Sequence, residues 1–230
     1  MAFRTNRVTL ERMRPRKNPF SLATSNESDR LAEIYRAAAQ VICDKGYSAT
    51  SMNDIAEAVG ITKAGIYHHI SGKQDLLFHI MNFGMDSLEE EVIVPSREIT
   101  DPEQRLRSII ANHVQLIASR STPEGNSPVS IVVDEVAELS PQQRRKINQK
   151  KRAYLDFIRT TLSQLKLQGK LAQVDVNAAS FSLLGMILWL SRWYSPEGRL
   201  SPQQIGDEIT RIALGGLLRP QRRRTRRLSS

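Results

Sequence analysis

A glycine-punctuated stretch, residues 47–76 (YSATSMNDIAEAVGITKAGIYHHISGKQDL), constrains this chain more than any other feature, because it accommodates two short helices and a tight turn and little else. Ser51 is placed to cap the first helix, and Asp54 puts negative charge into its first turn. Gly60 ends that helix, glycine being the residue that enters the left-handed region without Cβ strain. Thr62 can cap the second, in which Ile66 and Ile70 lie one turn apart on one face, while Ile55, Val59 and Ile61 supply an apolar surface for them. Lys63, Ala64, Gly65, Tyr67 and His68 are then left pointing outward. A helix of about eight residues is too short to be stable alone. A face with one cation, one phenol, one imidazole and two nearly bare positions therefore suits close approach to another surface, and the major groove of DNA is the natural candidate.

The string Ser51-x-x-x-Ile55-Ala56-x-x-x-Gly60-Ile61-Thr62-x-Ala64-x-Ile66-Tyr67-x-His69-Ile70-x-Gly72-Lys73-x-x-Leu76 resembles the N-terminal DNA-binding domain of the TetR/AcrR family of bacterial transcriptional repressors. The resemblance implies a helix-turn-helix contacting DNA through Ser51, Asn53, Thr62, Lys63, Ala64, Gly65, Tyr67, His68, His69 and Lys73. Lys73 opens the next helix, where unpaired N–H groups and the helix dipole join its charge in favouring a backbone phosphate. Two positions depart from the family pattern. Ile70 replaces the usual Phe, a core swap that is expected to be tolerated, and Gly65 removes a side chain that could touch a base, shifting readout toward Lys63, His68 and duplex shape.

Charge is placed unevenly. Of 33 Lys and Arg and 24 Asp and Glu, residues 1–24 hold six bases and one acid, and residues 219–230 hold six Arg and no acid, leaving 21 bases against 23 acids between them. Both tails lack apolar periodicity and read as disordered, either as sequence-independent attraction to phosphate or as solvated solubility tails. With 40% hydrophobic and 6% aromatic residues, the chain is expected to be soluble and helical with a real core. Its longest apolar run, residues 183–190, is eight residues against the roughly 18 that a spanning helix needs, so no membrane association is expected. A single cysteine, Cys43, excludes an internal disulfide and points to a reducing cytoplasm.

The rest of the chain reads as all-α, about nine helices, with no convincing alternating strand. A first helix over 28–45 carries Leu31, Ile34, Tyr35, Ala38 and Ile42 on one face and stops at Gly46. Three tetrapeptides, Ser71-Gly-Lys-Gln74, Ser140-Pro-Gln-Gln143 and Ser201-Pro-Gln-Gln204, have the reciprocal capping-box spacing, and Asp101 and Asp175 mark two further starts. Stops are expected at Pro95, in 122–128, at Gly169 and in 196–198. The run 130–133 (SIVV) has strand-like composition but no partner. These signals divide the chain into a basic arm (1–25), the helix-turn-helix domain (26–72), a helical ligand-binding and dimerisation domain (73–218) and an Arg-rich tail (219–230).

Within the third segment, the helix over 175–194 is apolar nearly all round, and the one over 201–218 carries Ile205, Ile209, Ile212 and Ala213 as a stripe. Both are expected to pack on their copies in a homodimer, the pair that makes the dimer in the TetR family. A two-fold dimer can place two reading helices about 34 to 36 Å apart, the spacing of an inverted repeat. The segment 189–201, with the turn before Pro141, resembles the subset of the family that responds to acyl-coenzyme A in fatty-acid or sterol breakdown. It implies an effector site of Met186, Trp189, Arg192 and Trp193, joined by His113 and Ile117; in the other reading the tryptophans fill the dimer core and His113 is structural. A basic run at 144–152 is either a solvated face or the cations that meet a coenzyme head group.

No metal-ligand spacing, nucleophile elbow, phosphate loop or dinucleotide fingerprint is present, so neither enzyme chemistry, a metal nor a cofactor is expected. The sequence reads as a DNA-binding regulator, a repressor binding a palindromic operator as a dimer and released by a small hydrophobic or acyl-coenzyme A effector. The alternatives are a drug-efflux type of repressor with another hydrophobic effector, and a non-specific architectural DNA-binding protein.

Overall fold

A computed structural model describes residues 27–68, 70–121 and 129–218, and these are all-α. The order is α1 (Glu27–Lys45), α2 (Met52–Val59), α3 (Lys63–Tyr67), α4 (Lys73–Leu88), α5 (Val94–Arg97), α6 (Pro102–Ala118), α7 (Val129–Asp134), α8 (Pro141–Leu167), α9 (Val176–Leu188) and α10 (Pro202–Leu217). A π-turn, Glu89–Ile93, joins α4 to α5 without a break. Counted as one rod, α4 and α5 bring the total to nine helices among the described residues. The expected disordered tails, His69 and the stop in 122–128 lie outside the described residues. The only pairing of extended backbone among them is an isolated bridge between Leu171 and Leu218, and no helix is long and apolar enough to cross a membrane.

Local chemistry sets most boundaries. Ser51 and Asp54 form a reciprocal capping box at the start of α2, as do Ser140 with Gln143 and Ser201 with Gln204 at α8 and α10; Asp101 and Asp175 cap α6 and α9. Gly60 closes α2 at φ 72°, a conformation that costs an L side chain energy. The box expected at Ser71 does not form. Gly72 caps α4 instead, Asp75 takes the Ser71 N–H, and Gln74 is drawn across to the Glu138 carbonyl 2.8 Å away. Pro95 was expected to stop the fourth helix but does not. The π-turn just before it shifts the hydrogen-bond register, and the missing proline N–H falls in the first turn of α5, where it is tolerated. The 130–133 run is not a strand but part of α7, which lays Ile131 into the core.

Two hydrophobic cores result. One gathers α1 to α3 with Leu76, Leu77, Ile80 and Met81 of α4, and it also takes Ile131, Leu139 and Ile147 from α7, the turn after it and α8. The other joins the second half of α4 to α6, α8, α9 and α10, with the apolar row Tyr154, Ile158, Leu162 and Leu165 of α8 along its centre. Of the expected α10 stripe, Ile205 and Ala213 are buried and Ile209 packs against the core, but Ile212 is 64% exposed. Lys150 fastens α8 to α4 through Asn82 and Asp86. The two cores thus share α4 as a common wall.

The capping glycine gives a direct test. Gly60→Ala is expected to lose about 1–2 kcal/mol in a urea melt, because alanine must adopt the left-handed conformation. Gly65→Ala should lose nothing: its Cβ would sit at an ordinary 3.4 Å from Thr62 Oγ1, and alanine is the better helix former.

Candidate nucleic-acid interface and interior cavity

The outward face of the reading head follows from its caps. Thr62 Oγ1 accepts from Gly65 N at 3.1 Å, which caps α3 and starts it at Lys63. Ile66 and Ile70 are then buried on the core side, and Lys63, Ala64, Tyr67 and His68 are exposed, with Gly65 half-exposed. The helix is shorter than expected, five residues, although the Ile70 N–H still donates to the Ile66 carbonyl at 3.1 Å. Ser51 and Asn53 are exposed at the start of α2, on the neighbouring edge. Lys45 reaches Asp54 at 2.8 Å, and that hydrogen bond, with those from Ser51, holds the Asp54 carboxyl well below the usual carboxylate range. Lys73 lies 4.3 Å above the Tyr47 ring and donates to the Ser48 carbonyl at 3.3 Å. It therefore ties α4 to the loop before α2, with its ammonium on the rim of the head. The nine described residues of the expected DNA-contacting set converge on this one end of the molecule.

The six residues expected to bind an effector do not converge. Behind the head lies a cavity of about 940 Å³, and of the six only His113 lines it. Ile117 is wholly buried in the second core, and Met186 packs at the edge of that core. Trp189 and Trp193 are 66% and 50% exposed, and Arg192 is paired with Asp134 of α7. The reason is rotational: a 3-10 turn, Trp189–Arg192, takes over from α9 and leaves both indoles on the outside. The face of α9 that meets the cavity carries Phe181, Leu184, Gly185 and Leu188 instead.

The remaining walls come from five helices and both sides of the molecule. Tyr35, Arg36 and Ala39 belong to α1, Ile80, Phe83 and Gly84 to α4, His113 and Leu116 to α6, and Lys151, Tyr154, Leu155 and Arg159 to α8, while Val132 and Val133 of α7 complete the lining. The apolar majority is interrupted by cations. Arg36 stacks 5.5 Å from the centre of Phe83, and Arg159 5.6 Å from that of Phe181. Arg120 holds Glu91 at 2.7 Å, and burial lowers its basicity. Lys151 donates to the Val132 carbonyl, and burial lowers its pKa as well. Arg152 adds a fifth cation to a lining whose one acid is Asp156. The basic run of α8 is thus divided: Lys151 and Arg152 face the cavity, and Lys150 is spent on α4.

Deepest among the polar groups is a pair. His113, 3% exposed, and Tyr154, 4% exposed, share a 2.9 Å hydrogen bond between Nδ1 and the phenol oxygen. Burial lowers the His113 pKa to about 4 and raises that of Tyr154, so both are neutral near pH 7. Sequence reasoning passed over Tyr154, Arg36, Phe83 and Arg120 as cavity residues. One signal did point to this region: Gly84 is a glycine inside a helix, and a Cβ there would lie 3.2 Å from Val132 Cγ2. The glycine lets α7 seat against α4.

Comparison with known proteins gives this geometry a setting. Residues 34–80 match the model for bacterial regulatory proteins of the tetR family, and residues 100–217 match the tetracyclin repressor-like C-terminal domain. The chain is 27% identical over 209 residues to the HTH-type transcriptional repressor KstR2 of Mycolicibacterium smegmatis, covering 86% of this chain and 95% of that one. It is 22% identical over 191 residues to the fatty acid metabolism regulator protein of Bacillus subtilis, covering 82% and 95%. Among solved structures it resembles AibR in complex with isovaleryl coenzyme A and operator DNA, at 41% identity and a TM-score of 0.71, covering 80% of this chain and 97% of AibR.

Two outcomes follow from the geometry. Tyr67→Ala, at an exposed position outside both cores, should weaken binding to the cognate duplex in a gel shift by about tenfold or more while leaving the melting temperature unchanged; normal affinity would remove Tyr67 from the interface. For His113, the folded pKa lies below the unfolded one. The folded state therefore binds fewer protons between about 4 and 6.5, and stability is full above 6.5 and falls as pH drops through that window. The loss is on the order of 3 kcal/mol, and His113→Leu should flatten this part of the curve of urea midpoint against pH.

Proposed function

Because this chain belongs to the TetR family of bacterial regulatory proteins and is a DNA-binding transcriptional regulator, we propose that it represses from an inverted-repeat operator as a dimer, and that an acyl-coenzyme A thioester in the cavity governs that binding. The observation that carries the reading is the shared wall: Tyr35 and Arg36 of α1, with Phe83 and Gly84 of α4, line the same space as Leu155 of α8 and Leu184 of α9. A ligand there touches the reading head and the body at once. It can bind better to one arrangement of α4 than another, which is the requirement for controlling DNA affinity.

The chemistry of the lining supports the class of ligand. A volume of about 940 Å³ is at the upper end of the range for small-molecule sites. Its aliphatic and aromatic walls suit an acyl chain. Arg36, Arg120, Lys151 and Arg152 suit a phosphate-bearing head group, and AibR, 41% identical, was crystallised with such a thioester.

The exposed Trp189 and Trp193 that follow α9 and Ile212 of α10 support a two-fold partner on that side. Ser51, Asn53, Thr62, Lys63, Ala64, Gly65, Tyr67, His68, His69 and Lys73 would then enter or border successive major grooves, with Lys73 swinging from the Ser48 carbonyl to a phosphate. Moving the population from operator-competent to incompetent takes about 5.5 kcal/mol of differential affinity, within reach of a large amphipathic ligand.

The test is a titration of the protein–operator complex, in a gel shift or by fluorescence anisotropy, with acyl-coenzyme A thioesters from isovaleryl to palmitoyl beside coenzyme A and the free acids. One or more thioesters should dissociate the complex at concentrations where coenzyme A and the acids do not. If none binds the protein or alters the complex, the reading is wrong.

A further inference from the structure

The cavity contains one polar pair that neither a hydrocarbon chain nor a phosphate head group uses. His113 Nδ1 and Tyr154 Oη are 2.9 Å apart, and both residues line the cavity while being more than nine-tenths buried. Their hydrogen-bonding roles depend on the imidazole tautomer, and we take the one in which the phenol donates. The phenol has one hydrogen to donate, and among the described residues its one acceptor is His113 Nδ1. A neutral imidazole that accepts at Nδ1 carries its proton on Nε2. In that tautomer the ring's remaining polar atom is an N–H donor on a residue of the cavity wall, and no described residue accepts from it.

We propose that His113 Nε2–H, held in this tautomer by Tyr154, donates to a carbonyl oxygen in the bound ligand, so that the site selects thioesters over ligands of equal length that lack the carbonyl. This rests on the acyl-thioester reading above and adds to it the group that reads the reactive end of the molecule. The acceptor is a neutral carbonyl rather than a carboxylate. His113 is not a cation near pH 7, and a carboxylate brought against an uncharged N–H in an apolar wall lacks the countercharge that offsets its desolvation. The bulkier cations of the cavity, Arg36 and Arg120, serve the opposite purpose and favour charge. Tyr154 is a positioning residue here: it fixes which imidazole nitrogen holds the proton, and α8 and α6 hold the two rings edge to face with centroids 5.4 Å apart.

The experiment compares isovaleryl- and dodecanoyl-coenzyme A with the matching S-isopentyl and S-dodecyl thioethers, which keep the chain and head group but replace the carbonyl with a methylene. Affinities are measured by calorimetry on the full chain. The wild type should prefer thioester to thioether by on the order of tenfold, the effect of one buried neutral hydrogen bond. His113→Leu should bring the ratio close to one, His113→Gln, which keeps an N–H donor, should retain part of it, and Tyr154→Phe should lower it. Equal binding of thioester and thioether by the wild type, a comparison that needs no variant to fold, would overturn the carbonyl contact and leave the acyl-coenzyme A reading standing. A His113→Leu protein that keeps the full preference would equally overturn it. Absence of binding by all four probes would instead overturn the thioester reading itself, and this inference with it.

Discussion

Everything in this molecule depends on α4 being a wall for two cores at once. Its first turns contribute Leu76, Leu77, Ile80 and Met81 to the core beneath the reading head, and Met85 and Leu88 further along belong to the core of the body. A helix buried on both sides cannot slide or tilt without disturbing each, because close-packed interiors resist continuous deformation. Ile131, Leu139 and Ile147 strengthen the link by reaching from the body into the head. The head is therefore not a bead on a linker. Between α1, α4 and the body lies the cavity.

That space is lined to accept something amphipathic. Burial lowers the basicity of Arg120 and Lys151, and their present partners, the Glu91 carboxylate and the Val132 carbonyl, are groups that an anionic ligand can replace. Lys151 has a further connection. It holds the end of α7, whose Asp134 in turn pairs with Arg192 beside the exposed tryptophans. One short helix thus touches the cavity, the head core through Ile131 and the aromatic face of the α9 region.

The reading head was legible in the sequence almost residue by residue, and the reason is that its determinants are local. Ser51, Asp54, Gly60 and Thr62 act on backbone groups within three or four positions, so their spacing alone predicts where α2 starts and stops and where α3 starts. The same holds for the boxes at Ser140 and Ser201. Where local logic failed, a distant group had intervened. Gln74 left its expected cap for the Glu138 carbonyl, and the SIVV run became helical where Ile131 is received by the head core and Gly84 of α4 makes room for Val132. The tryptophans could be read from sequence as cavity wall or as dimer face, because composition reveals that an indole wants burial, not which side of a helix it occupies.

By itself, then, the sequence determined the all-α class, the caps, the left-handed turn at Gly60 and the side-chain-poor face of α3, since each follows from interactions a few residues long. Only the tertiary structure decided which polar groups share the cavity. Arg36, Phe83, His113, Lys151 and Tyr154 come from four helices, and whether their side chains meet depends on the rotation and crossing of those helices. Packing of the whole set decides those angles, and no segment of the chain encodes them alone.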